Sequence, residues 1–570
     1  MKSVPSRQIS IVSIVLITMT GIFLRFYRAG ELFIFADEIH SLVTTLTRSF
    51  SWILTHFTAN DSCIPLTLYN KLLLETMGLS EWGMRFPSLV AGSILLILFG
   101  LIVYRHTSGP AAILSTGILA FSPYFVYMSR EARPYMITTL LFNVAMICLF
   151  WWKNGGRKSC LWGAAVCCAF CIYFHPITAP SVAVLMGFSF LYLCLGKPDK
   201  KNYIHYGVAV ILFASISLAL LGPTIPSLLD GLSHKENLGK ADIQTIRHGM
   251  ILLLGLPVIL PVWIWIALGV KGGAHLFRKW PGETTAFIAA LFLQVIALFI
   301  IQPELNEIPW VWFRYVVHLI PVFIVLCVLA VTGLWEKDPE IISGQKTGQI
   351  VALAVVGLFF IYHLHSNHYR LKSTDRFTAH PISLFLPDVC AMSEIQDFVL
   401  DFYQNKLKTL PGGIIVETPL LVTFPLYGIY QKWHGRNIVT APLGDGFAQG
   451  LFDQQKGLKL KTLVSFENVL NGNPVDVRYV IVHKRIKEEM KHVFNILKKD
   501  KMIATQLTSM AYLFNDRLLD ILFGEGDIKM KAPVWQKATP IFEDHFLAVY
   551  DVEQLREHGY QLTLQKEMHE

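Results

Sequence analysis

Charge is scarce in this chain: only 16% of its 570 residues are Asp, Glu, Lys or Arg, against about 25% in an ordinary globular domain. Because 53% of the residues are hydrophobic and gathered into long runs, that scarcity excludes a wholly soluble protein. The nine cysteines form neither a disulfide framework nor a zinc-ligand pattern. Seven of them (Cys148, Cys160, Cys167, Cys168, Cys171, Cys194 and Cys327) lie in or beside apolar runs, leaving Cys63 in a loop and Cys390 in the tail. Also missing are a phosphate-cradling glycine loop, an internal repeat, a low-complexity tract and a small-residue cleavage site after the first apolar run. Nucleotide-loop chemistry, a solenoid, a disordered tail and a removed signal peptide are disfavoured accordingly. The basic residues punctuate hydrophobic segments and do not cluster on a soluble face, so no nucleic-acid partner is expected.

What is present is hydrophobicity in blocks of about 20 residues. Candidate spans fall near 9–25, 86–104, 110–128, 136–152, 160–174, 179–196, 207–223, 250–270, 284–302, 312–333 and 349–366. Residues 1–366 hold 25 basic against 17 acidic side chains, the whole net charge of +8, while residues 367–570 balance at 24 of each. With the N-terminus placed in the cytoplasm, inside segments sum to +9 and outside segments up to residue 366 to −1, which is the sense of the positive-inside rule. An odd number of spans then puts the tail outside the cytoplasm. Few cysteines outside the spans and no organelle retention signal point to a bacterial inner (plasma) membrane.

The expected architecture is a polytopic α-helical membrane domain over residues 1–366, with about 11 transmembrane helices, joined to an extracytoplasmic soluble α/β domain over residues 367–570. Two outer loops are long, 26–85 and 224–249, and long loops beside a compact bundle are usually functional. In the first, Ile39–Phe57 and Leu66–Met77 have amphipathic helical patterns suited to the membrane surface, the second closing at Gly78. In the tail, the apolar stretches ending at Glu417 and His483 are expected to be buried strands, and Ile486–Lys499 has helical periodicity.

Four polar groups fall on the outer side. Asp37-Glu38 can act as base, ligand or hydrogen-bond acceptor, or can simply start a helix, where acids complement the dipole. Ser129-Arg130-Glu131-Ala132-Arg133-Pro134-Tyr135 is dense for a turn, and its arginines can grip a phosphate bidentately or anchor headgroups. Arg314-Tyr315, behind Trp310 and Trp312, puts a cation near a helix start, where it needs a partner in protein or ligand. His175-Pro176 closes the fifth span, where a histidine is either a hydrogen-bonded structural residue or a site member. No ligand set with metal spacing appears, so no cofactor is assigned beyond a divalent metal that adjacent carboxylates could hold.

These groups, with Asp61-Ser-Cys-Ile-Pro65-Leu-Thr-Leu-Tyr69, Arg85-Phe-Pro-Ser88 and Ser122-Pro123 in the same order, resemble the C-type-fold membrane glycosyltransferases of family 39, which include protein O-mannosyltransferases and the lipid A aminoarabinose transferase. The resemblance spans residues 9–330. It implies a monosaccharide donor on a polyprenyl or dolichyl phosphate, membrane lipid around the donor chain, and a protein, lipid or glycan acceptor. It implies that Asp37, with Glu38 beside it, is the catalytic base and that Arg130, Arg133 and Arg314 hold the lipid phosphate with Tyr135 and Tyr315. Glu131 is a further candidate catalytic carboxylate, and His175 and Tyr69 are further candidate substrate-binding residues. One departure is Cys63-Ile64-Pro65-Leu66-Thr67, where many bacterial relatives have His-Pro-Pro-Leu-Tyr. The rival classes are a transporter or lipid flippase, which would need ionisable residues deep in the spans, and a non-catalytic scaffold. Asp, Glu, Lys and Arg are nearly absent from the spans away from their ends.

Overall fold

The computed structural model describes residues 6–27, 29–30, 38, 41, 44–45, 48–57, 63–155, 157–195, 200–227, 243–254, 262–301, 309–333, 342–365, 400–418, 438–439, 477–485, 488–489 and 539–557. The chain forms two compact units, one of residues 1–29, 50–69 and 84–371, the other of residues 30–49, 70–83 and 372–570.

Helices run through the first part of the chain: α1 (Ser6–Phe26), α2 (Phe50–Thr55), α3 (Ile64–Thr76), α4 (Glu81–His106), α5 (Gly109–Phe121), α6 (Pro123–Ser129), α7 (Tyr135–Gly155) and α8 (Lys158–Phe174). They continue as α9 (Ala179–Leu195), α10 (Lys200–Leu221), α11 (Ile243–Leu254), α12 (Val262–Lys279), α13 (Pro281–Ile301), α14 (Pro309–Val316), α15 (Ile320–Thr332) and α16 (Ile342–His365). The described residues of every expected apolar stretch lie mainly in helices, so the polytopic reading holds. The count of full-length spans is lower than eleven: among the described residues seven helices are long and apolar enough to cross a membrane, or eight with the bent α5–α6 pair. The difference has a simple origin. α8 and α9 have 17 residues each, and the stretch 250–270 is divided between α11 and α12, with residues 255–261 outside the described set.

Large apolar side chains on these helices are exposed to the surroundings of the protein, among them Leu16, Met19, Ile211, Leu218, Ile300 and Leu358. In water such a surface would drive aggregation; in hydrocarbon it is the required one, because each helix satisfies its own backbone. Inward faces meet through small residues. A Cβ added at Gly272 of α12 would lie 1.7 Å from the carbonyl oxygen of Leu326 on α15, so only glycine permits that approach.

The α5–α6 pair bends by 57° at Ser122-Pro123. Pro123 lacks the amide that the carbonyl of Leu119 would accept in a continuous helix. Arg25, fully buried on α1, supplies the donors: Nη2 reaches Leu119 O at 3.0 Å, Nη1 reaches Ala120 O at 3.2 Å, and Nε reaches Ser129 Oγ at 3.1 Å. Ser122 caps the new helix by accepting from Phe125 N and donates to Leu253 O on α11.

In the second unit, α3 ends as expected: Gly78 takes φ 79°, and its amide and that of Met77 both return to Leu73 O. The tail holds a mixed sheet of β1 (Ile414–Thr418), β2 (Ile438–Val439), β3 (Val477–His483), β4 (Phe542–Glu543) and β5 (Leu547–Asp551), in the order β2-β1-β3-β5-β4. β1 runs parallel to β2 and β3, and β5 antiparallel to β3 and β4, so both apolar runs read as strands are strands. Ile415, Tyr479, Val480 and Ile481 are buried, as expected for strands in the middle of a covered sheet. A helix, α17 (Val552–Glu557), follows β5, and Arg478 pairs with Asp551 at 3.0 Å. Of the expected helix Ile486–Lys499, only 488–489 lie among the described residues, and these are helical.

Candidate active site

The turn of residues 130–134, between α6 and α7, is held from two sides: Ser88 Oγ donates to Arg133 O at 2.8 Å, and Arg133 N donates to Glu131 O at 2.8 Å. Glu131, Arg133 and Tyr135 are all buried. Pro134 immediately precedes α7, where its fixed φ suits a helix start, and Thr138 N returns to Pro134 O.

Three segments far apart in sequence converge here. The ring of Tyr135 at the start of α7 lies 5.5 Å from that of His175, which caps α8, and His175 lies 5.9 Å from Tyr315 on α14. The guanidinium of Arg314 sits 5.7 Å from the Tyr135 ring and 5.2 Å from the Tyr315 ring, with Nη2 donating to Tyr315 Oη at 3.3 Å. Tyr135, His175, Arg314 and Tyr315 therefore form one partly buried cluster, with Arg133 within electrostatic reach of His175. Burial first, then the charges of Arg314 and Arg133, hold His175 well below the usual imidazole range. It is neutral at pH 7 and adds no charge of its own. The cluster presents guanidinium, hydroxyl and imidazole groups together, a set suited to an anionic ligand carrying several acceptor oxygens.

Arg130 has a different task. Its Nε donates to Arg25 O at 3.2 Å, and Nη2 donates to Leu24 O and Tyr27 O, so its guanidinium caps the open carbonyls at the end of α1. Burial and the nearby Arg85 draw its pKa down to about 10, still charged at neutral pH. Arg85 makes a parallel contact, Nη1 to Ala29 O at 2.8 Å. Nε and Nη2 of Arg130, read from the sequence as a phosphate ligand, are thus engaged by backbone carbonyls.

Tyr69 is half-buried on α3, and burial pushes its phenol up. Glu38 belongs to the second unit and is buried; its carbonyl accepts from Ser41 Oγ at 3.5 Å. Ser41 Oγ accepts in turn from Asn70 Nδ2 at 3.0 Å, and Lys71 Nζ donates to Thr45 O at 3.1 Å, which ties the first loop to α3 within that unit. Asp37 lies outside the described residues. Among the described residues no three His, Cys, Asp or Glu side chains are grouped to hold a metal.

Sequence reading missed Arg25 and Tyr124. Arg25 ends an apolar run, where a cation looks like an interfacial residue; its role as a cap depends on the bend between α5 and α6. Tyr124 is fully buried, interacts electrostatically with Glu131, Tyr135 and Arg314, and its Oη has no hydrogen-bond partner among the described residues. The Ser122-Pro123 motif next to it was the available signal.

Residues 65–220 match the model of the dolichyl-phosphate-mannose-protein mannosyltransferase family, so the resemblance read from the motifs holds over that stretch. No curated protein matches the chain. Among solved structures, the chain is similar to ArnT from Cupriavidus metallidurans in the apo state, at 12% identity and TM-score 0.44, over 82% of this chain and 92% of that one. Against the same protein bound to undecaprenyl phosphate the values are 11% and 0.44, over 94% and 97%. The archaeal oligosaccharyltransferase AglB from Archaeoglobus fulgidus, in complex with an inhibitory peptide and a dolichol-phosphate, gives 10% and 0.44, over 86% and 71%.

Proposed function

We propose that this protein is an integral membrane glycosyltransferase of the bacterial inner membrane that moves a monosaccharide from a polyprenyl-phosphate donor to an extracytoplasmic acceptor with inversion at the anomeric carbon. The observation that carries this reading is the convergence of Tyr135, His175, Arg314 and Tyr315 into one cluster inside a polytopic helical unit. The family match over residues 65–220 supports the reaction class. A polyprenyl chain stays in hydrocarbon while its phosphate needs charged and hydrogen-bonding groups, and a cationic cluster in a membrane bundle offers both.

The reaction is an in-line displacement. A first-loop carboxylate, Asp37 or Glu38, takes the acceptor O–H or N–H proton, the acceptor atom bonds to the anomeric carbon, and the bond from that carbon to the phosphate oxygen breaks. The electron pair leaves with the polyprenyl phosphate, where negative charge grows. Arg314 and Arg133 stabilise that charge, and the tyrosine hydroxyls donate to the same oxygens. The tail domain is assigned to acceptor recognition, with the N-terminus of the chain on the cytoplasmic side.

The test is transfer, or slow hydrolysis, of radiolabelled sugar from a panel of polyprenyl-phosphate sugars by the purified full chain, with Asp37→Asn and Arg314→Ala alongside. Turnover of one donor that both substitutions remove supports the reading. Silence across the panel defeats it, and turnover that survives Asp37→Asn moves the base to Glu38 or Glu131.

A further inference from the structure

Four polar side chains on neighbouring helices are linked inside the bundle. Asn143 on α7, Ser181 on α9, Gln294 on α13 and His318 between α14 and α15 are all buried. Asn143 Nδ2 donates to His318 O at 3.0 Å. Ser181 Oγ donates to Gln294 Oε1 at 2.8 Å. With its one proton committed there, Ser181 can only accept from His318 Nε2 at 3.0 Å, which fixes the histidine tautomer with its proton on Nε2.

The orientation of the Gln294 amide is fixed in the same way. Its Nε2 lies 2.8 Å from Ile177 O and 3.2 Å from Tyr315 O, and two carbonyl acceptors require the NH2 end. Those carbonyls belong to the segments that build the cluster. Ile177 lies in the short 3-10 turn Pro176–Thr178 directly after His175, a turn stiffened because Thr178 donates to His175 O through both its amide and its hydroxyl. Tyr315 is itself a cluster member, next to Arg314, near the end of α14, where end-of-helix carbonyls seek partners outside the helix.

We infer that Gln294 is a positioning residue for the cluster: one amide nitrogen pins the turn that carries His175 to the helix that carries Arg314 and Tyr315. The carbonyls of Ile177 and Tyr315 by themselves require the NH2 end of the amide to face them, and Ser181 only adds a bond to its other end. A network this complete, in a span otherwise built of apolar residues, sets geometry and carries no charge. The consequence for catalysis rests on the proposed glycosyltransferase reading; the clamp itself does not.

The experiment uses the full chain in nanodiscs, with Gln294→Leu, which removes both Nε2 bonds, and Ser181→Ala, which spares them. Turnover of the polyprenyl-phosphate sugar is normalised to folded protein by thermal melting, and hydrogen–deuterium exchange is read over residues 175–178 and 312–318. In Gln294→Leu, kcat falls about ten- to hundredfold, as expected for a misplaced charge-stabilising group, while KM for the donor changes by no more than about threefold. Exchange rises in both segments together, and Ser181→Ala keeps kcat within about threefold of the parent. Gln294→Leu with undiminished kcat, or with unchanged exchange in both segments, overturns the inference. So does a loss in Ser181→Ala as deep as in Gln294→Leu, which would trace the effect to the wider polar network and not to the two Nε2 bonds. If the parent turns over no donor, the functional reading fails and the exchange measurement still decides whether the clamp exists.

Discussion

Arg25 Nη2 donates to the carbonyl of Leu119 at 3.0 Å, in the place of the amide that Pro123 lacks. A buried guanidinium on the first helix thereby makes the 57° bend of another helix pair tolerable in hydrocarbon, and that bend leads into the turn bearing Glu131 and Arg133. Replacing Arg25 by Met leaves the carbonyls of Leu119 and Ala120 unsatisfied, at about 1–3 kcal/mol each. A large drop in thermal stability is expected. In a Pro123→Ala background the drop should shrink, because the restored amide can serve Leu119; equal losses in both backgrounds would separate the arginine from the bend.

Arg130 and Arg314 should part company in kinetics. Arg314→Ala is expected to lower donor kcat by about a hundredfold or more, with the melting temperature little changed. Arg130→Ala should act through the end of α1, lowering the melting temperature while folded enzyme keeps most of its kcat. The reverse pattern would return Arg130 to the phosphate.

His175 gives a pH signature. Its pKa is depressed in the folded state by burial, Arg314 and Arg133, so below the unfolded value of about 6.5 the unfolded chain binds the extra proton first. The stability associated with the neutral ring is fully present above that pH and is lost as pH falls towards the depressed folded value. His175→Asn should flatten the acid limb of the stability profile below about pH 6.5. A limb unaltered by the substitution would show that other groups set it.

Gly272 tests the bundle. Any side chain there meets the Leu326 carbonyl, so Gly272→Ala should separate α12 from α15 and cost about 1–3 kcal/mol or more. Thermal melting of the detergent-solubilised protein measures it. A melting temperature equal to that of the parent would mean the two helices do not approach as closely as described.

Much of this protein is written locally in its sequence. Runs such as the one over α4 can only be membrane helices, Gly78 marks the end of α3, and the apolar stretches ending at Glu417 and His483 could be read as strands before their partners were known. The candidate cluster was partly legible for a related reason: Tyr135, His175, Arg314 and Tyr315 are polar residues left at the ends of apolar segments, where polarity calls for an explanation. Gln294 carried the same signal in the middle of a span, but an uncharged amide is easily passed over in a search for ionisable groups.

Local sequence determined which segments are helices or strands and which polar residues interrupt them, because backbone satisfaction and hydrophobic periodicity are settled within a few residues. Tertiary structure alone decided what those polar residues do. Arg130 and Arg314 have the same side chain at the same kind of helix boundary, yet one faces the carbonyls of Leu24, Arg25 and Tyr27 and the other faces two tyrosine rings. A guanidinium binds whatever acceptors lie within reach, and that reach is fixed only when helices distant in sequence pack together.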